Sequence, residues 1–91
     1  MKGTALDHGN RALMLLERVK TFKAAMVCDS PHNDWTMRKA GSIAIRNECT
    51  SSQICYSVWE SEEMRGRYEG FNALANAYNT AAFFYHDEVN R

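Results

Sequence analysis

The side chains of this sequence that could bind a metal are three cysteines and three histidines. Two close spacings join them: Cys28 precedes His32, and Cys49 precedes Cys55. Neither is the paired short spacing that structural zinc sites use. The sequence therefore predicts no metal site, and the odd number of cysteines indicates free thiols in a reducing compartment.

Patterns of catalytic residues are equally scarce. His86, Asp87 and Glu88 could exchange protons, but consecutive residues of a helix point in different directions. The sequence contains no glycine-rich phosphate loop, no nucleophile-elbow pattern and no HExxH motif. We therefore expect a chain that is not an enzyme and that uses no cofactor.

Length and composition limit what the remaining residues can do. The chain has 91 residues, 24% of them charged, and its formal net charge is zero. Such values are typical of one small globular domain. No apolar run is long enough to cross a bilayer, and the N-terminus lacks a signal-peptide pattern. The sequence predicts a cytoplasmic protein with no membrane partner.

The N-terminal part is expected to form a leader and then a helix. Residues 1–9 contain two glycines and no apolar periodicity, which indicates a flexible leader before a single domain at residues 10–91. Asn10 can cap a helix whose apolar side chains recur at helical spacing. This helix should end at Cys28, because Pro31 follows and cannot continue it.

Residues 33–59 change from helical to alternating periodicity. Three short segments, around Trp35, Ile43 and Tyr56, alternate in side-chain character with a period of two. Turn-forming residues separate them, which predicts a three-stranded antiparallel meander. The alternative is an all-α helical bundle, because Thr50-Ser51-Ser52-Gln53 has the form of a helix capping box. The predicted fold class is α+β, in the order α-β-β-β-α.

The C-terminal segment is predicted to be one long helix. From Ser61 to Val89, bulky side chains recur at steps of four and three residues, and a row of glycine and alanine runs along nearly the opposite side. Such a helix would measure about 42 Å, against a diameter of about 32 Å for a compact domain of this size. It should therefore break at Gly66 or Gly70, or extend into a second copy and form a homodimer.

The expected function is stoichiometric binding of another protein. Residues 1–27 carry a net charge of +3 and residues 60–91 one of −3, so the acidic start of the last helix could cover a basic site, for example on a nucleic-acid-binding complex. Small neutral chains without cofactor motifs are common among phage and mobile-element proteins that block host defence, such as anti-CRISPR proteins, which favours an inhibitor. The predicted partner-binding residues are polar and lie at the start of the last helix or along it: Glu60, Glu62, Glu63, Glu69, Asn72, Asn76 and Asn79.

Two alternatives stay open at this point. The first helix is basic, so the chain could instead be a nucleic-acid-binding regulatory module. Its contact residues would be Arg11, Arg18, Lys20 and Lys23. Trp35 and Trp59 belong either to the core or to an interface, where aromatic side chains are favoured.

Overall fold

A computed structural model describes residues 2–30 and 34–91 of the chain, with side chains from residue 11 onward. A helix lies at each end, and a five-stranded antiparallel sheet lies between them, which confirms the α+β class. The strands are neighbours in the order of the sequence. The elements are α1 (Lys2–Ala25), β1 (Val27–Cys28), β2 (Met37–Ala40), β3 (Ile43–Asn47), β4 (Cys55–Glu60), β5 (Glu63–Glu69) and α2 (Ala73–Val89).

The prediction of one long C-terminal helix is wrong in its first part. Residues Glu63–Glu69 form a strand, and α2 begins at Ala73. Ser61 and Gly70 flank this strand with positive φ angles of 54° and 92°, which a continuous right-handed helix does not allow. As a strand, the segment also gives β4 a second hydrogen-bonding neighbour. The helix is interrupted next to Gly70, so its length no longer argues for a homodimer.

The three predicted strands correspond to β2, β3 and β4, and the structure adds β1 and β5. The all-α alternative is wrong. Residues 50–53 form a turn in which the backbone N–H of Thr50 donates to the carbonyl of Gln53 at 2.9 Å, so they do not cap a helix. With only two residues, β1 is too short to produce a detectable alternation.

The first helix starts earlier than predicted. It begins at Lys2 and not at Asn10, so residues 2–9 belong to α1 and not to an irregular leader. It ends at Ala25, close to the predicted end. Pro31, which was expected to stop the helix, lies outside the described residues.

One face of the sheet carries the core. Phe22 of α1 and Ile43, Ile45 and Val58 of the central strands are fully buried there. The side of α2 that packs against the sheet consists of small residues, which let the helix backbone approach the strands closely. These buried residues are Ala73, Ala77, Ala81 and Ala82.

The bulky row predicted along the last segment is only partly buried. Tyr78 belongs to the core, whereas Met64, Phe71 and Val89 are exposed. The strand and the turn before α2 change the direction of the chain, so residues spaced for one helix no longer share a side. Four of the five buried residues of α2 are alanines, so its buried side consists mainly of small side chains.

A turn between two strands is joined to the end of α2. Gly41, the first residue of the β2–β3 turn, has a φ of 60°, at a position where two-residue hairpin turns favour glycine. Glu88 accepts hydrogen bonds from the backbone N–H of Ser42, at 3.2 Å, and from its hydroxyl group. Its carboxylate occupies the space that a Cβ on Gly41 would need.

We expect Gly41→Ala to lower the free energy of unfolding by about 1–3 kcal/mol, because the backbone would be strained and Glu88 would be displaced. Gly70→Ala is the matched control, since Gly70 also has positive φ but a Cβ there meets nothing within 4 Å. Urea unfolding followed by circular dichroism measures both variants. If Gly41→Ala and Gly70→Ala lower the free energy of unfolding equally, the Glu88 contact has no role in the loss.

Candidate functional site

Three of the predicted acidic contact residues lie at the β4–β5 turn and not at the start of a helix. Glu60 is only 15% exposed and pairs with Arg65 at 2.7 Å and with Arg91 at 3.7 Å. Arg65 also pairs with Glu63 at 3.1 Å, whereas Glu62 is exposed and forms no ion pair with the described residues. Two of the three carboxylates are therefore paired with guanidinium groups, and the corner is less acidic than its three glutamates suggest.

The other predicted partner-binding residues lie elsewhere. Glu69 is at the far end of β5, where its carboxylate accepts a hydrogen bond from the Gln53 side chain at 2.8 Å. Asn72 precedes α2, and Asn76 and Asn79 are exposed on that helix. The structure does not bring the predicted residues together into one surface.

The cations predicted to contact nucleic acid are spread around α1. Arg11 and Arg18 are two turns apart and share a side of the helix, whereas Lys20 and Lys23 lie on other sides. Lys20 pairs with a neighbouring glutamate at 3.7 Å, and Lys23 Nζ lies 4.6 Å from the ring centre of Tyr78. These four cations therefore form no continuous basic face.

The most unusual surface is an apolar segment of α1. Leu13, Met14, Leu15 and Leu16, called the apolar turn below, are 61, 52, 38 and 50% exposed. Consecutive helical residues are about 100° apart, so these four side chains surround most of the helix. A helix that is apolar on all sides is normally buried. Nothing in the described part of the chain covers the apolar turn.

A groove lies on each side of the apolar turn. One, of about 520 Å³, is lined by Leu13, Met14 and His86 among others. The second, of about 280 Å³, is lined by Leu15, Leu16 and Asn79 with two further residues of α1. Asn79, one of the predicted partner-binding residues, therefore lies beside the apolar turn.

The sheet face opposite the helices, called the open face below, carries a second distinctive set of residues. Residues directly opposite each other on neighbouring strands share a face. Lys39, Ala44 and Trp59 form one such row, and Arg46 and Ser57 lie in the next. Because the Ala44 side chain is small, a hollow of about 370 Å³ remains between Lys39 and Trp59, with Arg46 in its wall.

The two tryptophans have different environments. Trp35 is 4% exposed and stacks on Tyr56 at 5.6 Å between ring centres, so it belongs to the core. Trp59 is half-buried on the open face. Its indole N–H donates to the hydroxyl of the buried Ser57 at 2.8 Å, and Arg46 Cζ lies 4.1 Å from its ring centre.

The cysteines are free thiols, as predicted. Cys49 Sγ lies 3.4 Å from the backbone nitrogen of Cys55. Burial raises the pKa of the Cys55 thiol, which disfavours the nucleophilic thiolate. Among residues 2–30 and 34–91, no three His, Cys, Asp or Glu side chains converge as metal ligands would. His32 lies outside the described residues, as does the side chain of His8.

Neither the apolar turn nor the open face was predicted from the sequence, although the sequence contains a pattern that indicates each of them. Four consecutive large apolar residues exceed the single stripe that a helix needs to pack on a core. On β3, Ala44 and Arg46 alternate with the buried Ile43 and Ile45, which indicates a second face that is not apolar. The hollow could not be predicted, because its position depends on the register of three strands, which the sequence does not show.

Comparisons of this chain with protein-family models, curated proteins and solved structures find no match. Neither helix in the described part of the chain combines the length and apolar character required to span a bilayer.

Proposed function

We propose that the chain is a non-catalytic protein-binding protein whose apolar turn docks into a groove of a partner protein. The observation that carries this proposal is the exposure of four large apolar side chains on a helix. Removing apolar surface from water is favourable by about 25 cal/mol per Å². Contiguous exposed apolar surface on a small protein marks an interaction site.

The charges around the apolar turn define the chemistry of the partner. Residues 11–25 contain four cations and one carboxylate. A complementary groove is therefore apolar at its centre and acidic at its rim. Such a helix-in-groove arrangement uses side chains spaced by three and four residues as anchors, and the charges mainly increase the association rate.

A chain that covers a functional groove in this way is a stoichiometric inhibitor or regulator of its partner. Inhibition of a host macromolecule by a phage or mobile-element protein is the form of this function that we propose. Covering a basic site with Glu60, Glu62 and Glu63 is the competing mechanism. It is less well supported, because Arg65 and Arg91 already pair with this corner.

Nucleic-acid binding through α1 is the second candidate function, and it too is weakly supported. Its four cations do not share a side of the helix, and Lys23 lies against an aromatic ring. Phosphate binding needs several cations that reach one backbone at the same time.

We expect Leu13→Gln/Leu16→Gln to reduce partner affinity by at least about 100-fold, the equivalent of about 2.7 kcal/mol. Glutamine keeps the helix propensity and much of the length of leucine but makes the surface polar. Proteins captured by the wild-type chain from its native host would be purified and titrated against both forms by calorimetry. A 1:1 complex that the double variant fails to form supports the proposal.

Three comparisons make this test decisive. Phe71→Gln removes a 93% exposed apolar side chain from the turn before α2 and should leave the affinity unchanged. Glu62→Lys/Glu63→Lys should also bind normally, whereas loss of binding there would favour the acidic corner and contradict the apolar turn. Light scattering that shows a dimer of the free wild-type chain, but a monomer of the leucine variant, would assign the apolar turn to a second copy instead.

A further inference from the structure

We propose that the open face binds a segment of single-stranded nucleic acid at the hollow between Lys39 and Trp59. This site is separate from the apolar turn, and it uses none of the α1 cations considered above. The ligand class follows from three features: two cations beside the hollow that form no ion pair with the described residues, an arginine stacked on a tryptophan, and a row of side chains across the strands that a single strand could follow.

The first feature is uncompensated positive charge. Lys39 and Arg46 are exposed, and neither pairs with a carboxylate among the described residues. The polar side chains that line the hollow are these two cations, the serines at positions 42 and 61 and the Trp59 indole, and none of them is acidic. The nearest carboxylate on this side, that of Glu88, is hydrogen-bonded to Ser42. The carboxylate of the nearby Asp29 instead accepts a hydrogen bond from the backbone N–H of Thr36 at 3.0 Å. Phosphate oxygens would complement this lining.

The second feature is the stack that Arg46 forms with Trp59. The hydrogen bond to the hydroxyl of the buried Ser57 fixes the indole ring, and the guanidinium group of Arg46 lies against that ring, with Cζ 4.1 Å from the ring centre. A cation held in this way loses little conformational freedom when it binds a ligand. Unpaired bases stack on guanidinium planes as well as on aromatic rings, which favours a single strand over a duplex.

The third feature is the path that a strand could follow. Arg46, Ser57 and Arg67 lie in one row across β3, β4 and β5. Arg67 therefore lies about 10 Å from Arg46, two strand spacings away. Together with Lys39, these side chains place three cations across the sheet, although Arg67 also pairs with Glu69. Short single strands that cross an open antiparallel sheet are bound in this manner by aromatic and basic side chains.

The test is fluorescence anisotropy with labelled 12-nucleotide oligo-dT and oligo-U, at several salt concentrations. If three phosphates are contacted, a plot of the logarithm of the binding constant against the logarithm of the salt concentration should have a slope of about −2. Arg46→Gln should weaken binding about tenfold, a loss within the range of one base-stacking contact. Ala44→Leu should do the same without any change of charge, because its side chain fills the hollow.

The controls separate this site from general charge effects and from the apolar turn. Arg11→Gln removes the same charge from α1 and should change the affinity less than about twofold. Leu13→Gln/Leu16→Gln should bind the oligonucleotides normally, whatever it does to protein binding. Thermal unfolding identifies any variant that has lost its fold. If Ala44→Leu does not fold, the binding measured for Arg46→Gln alone decides whether the open face is the site.

The proposal is overturned if neither oligonucleotide binds at low salt, or if Arg11→Gln weakens binding as much as Arg46→Gln. Competition by poly-glutamate that equals competition by unlabelled oligonucleotide would assign the open face to an acidic polypeptide. Preference for a 12-base-pair duplex over the single strands would contradict the stacking argument.

Discussion

Phe22→Ala is expected to lower the free energy of unfolding by about 3–5 kcal/mol. Within residues 11–25 of α1, Phe22 is the one side chain that is fully removed from solvent. Its ring meets Tyr78 and Tyr85 of α2 edge-on, with ring centres 6.2 and 5.7 Å away. The substitution would leave a cavity between the helices, because residues 11–25 of α1 contain no second fully buried side chain.

Thermal or urea unfolding of Phe22→Ala measures this loss, and each kcal/mol corresponds to a shift in Tm of about 4–8 °C for a domain of this size. Phe83→Ala on α2 is the matched control, since the Phe83 ring is 55% exposed. Phe83→Ala should lower the free energy of unfolding by about 1 kcal/mol or less. If both variants lose the same stability, α1 is not anchored by Phe22 and the position of the apolar turn is not fixed.

Trp35→Ala is expected to cost a similar amount, about 3–5 kcal/mol. Trp35 is almost fully buried between Tyr56, on which it stacks, and Arg38, whose Cζ lies 4.0 Å from its ring centre. The substitution removes the ring from the core and exposes one side of a cation that is packed among aromatic rings. The loss should therefore exceed that of a simple cavity of the same volume.

Trp59→Ala provides the comparison that separates a core tryptophan from a surface one. Trp59 packs on the open face with Arg46 and Ser57 and is not part of the core cluster. We expect this variant to lose about 1 kcal/mol of stability but to bind oligonucleotides as weakly as Arg46→Gln. Equal destabilisation of the two tryptophan variants would show that the open face is structural.

The strands that the sequence predicted are those with a clear two-faced pattern. Ile43 and Ile45 face the core while Ala44 and Arg46 face away, so the alternation reflects the real environment. The edge strand β5 was missed because the spacing of Met64, Tyr68 and later residues also fits a helix. Its charged residues at 63, 65, 67 and 69 alternate with uncharged ones, and this signal favours a strand.

The predicted helix boundaries were wrong for a different reason. Nothing between Lys2 and Asn10 forbids a helix, so a good cap at Asn10 did not define its start. At the other end, the positive φ of Gly70 marks where α2 could not extend backward. A sequence shows that glycine permits such a conformation, but not that the chain adopts it.

The candidate surfaces depend on tertiary structure that local patterns do not contain. A run such as Leu13 to Leu16 is read as core, because large apolar residues are usually buried. Only the position of α1 against α2 shows that these side chains are exposed. In the same way, the acidity of the β4–β5 corner was overestimated because Arg65 and Arg91 fold back onto Glu60.

The most direct test of the central claim is hydrogen–deuterium exchange of the chain, free and bound to its purified partner protein. A docked helix is shielded and opens less often, so its amides exchange more slowly. We predict that protection on binding is greatest in residues 12–20 of α1 and small at the β4–β5 turn. Protection concentrated at Glu62 and Glu63, with α1 unchanged, would contradict docking through the apolar turn.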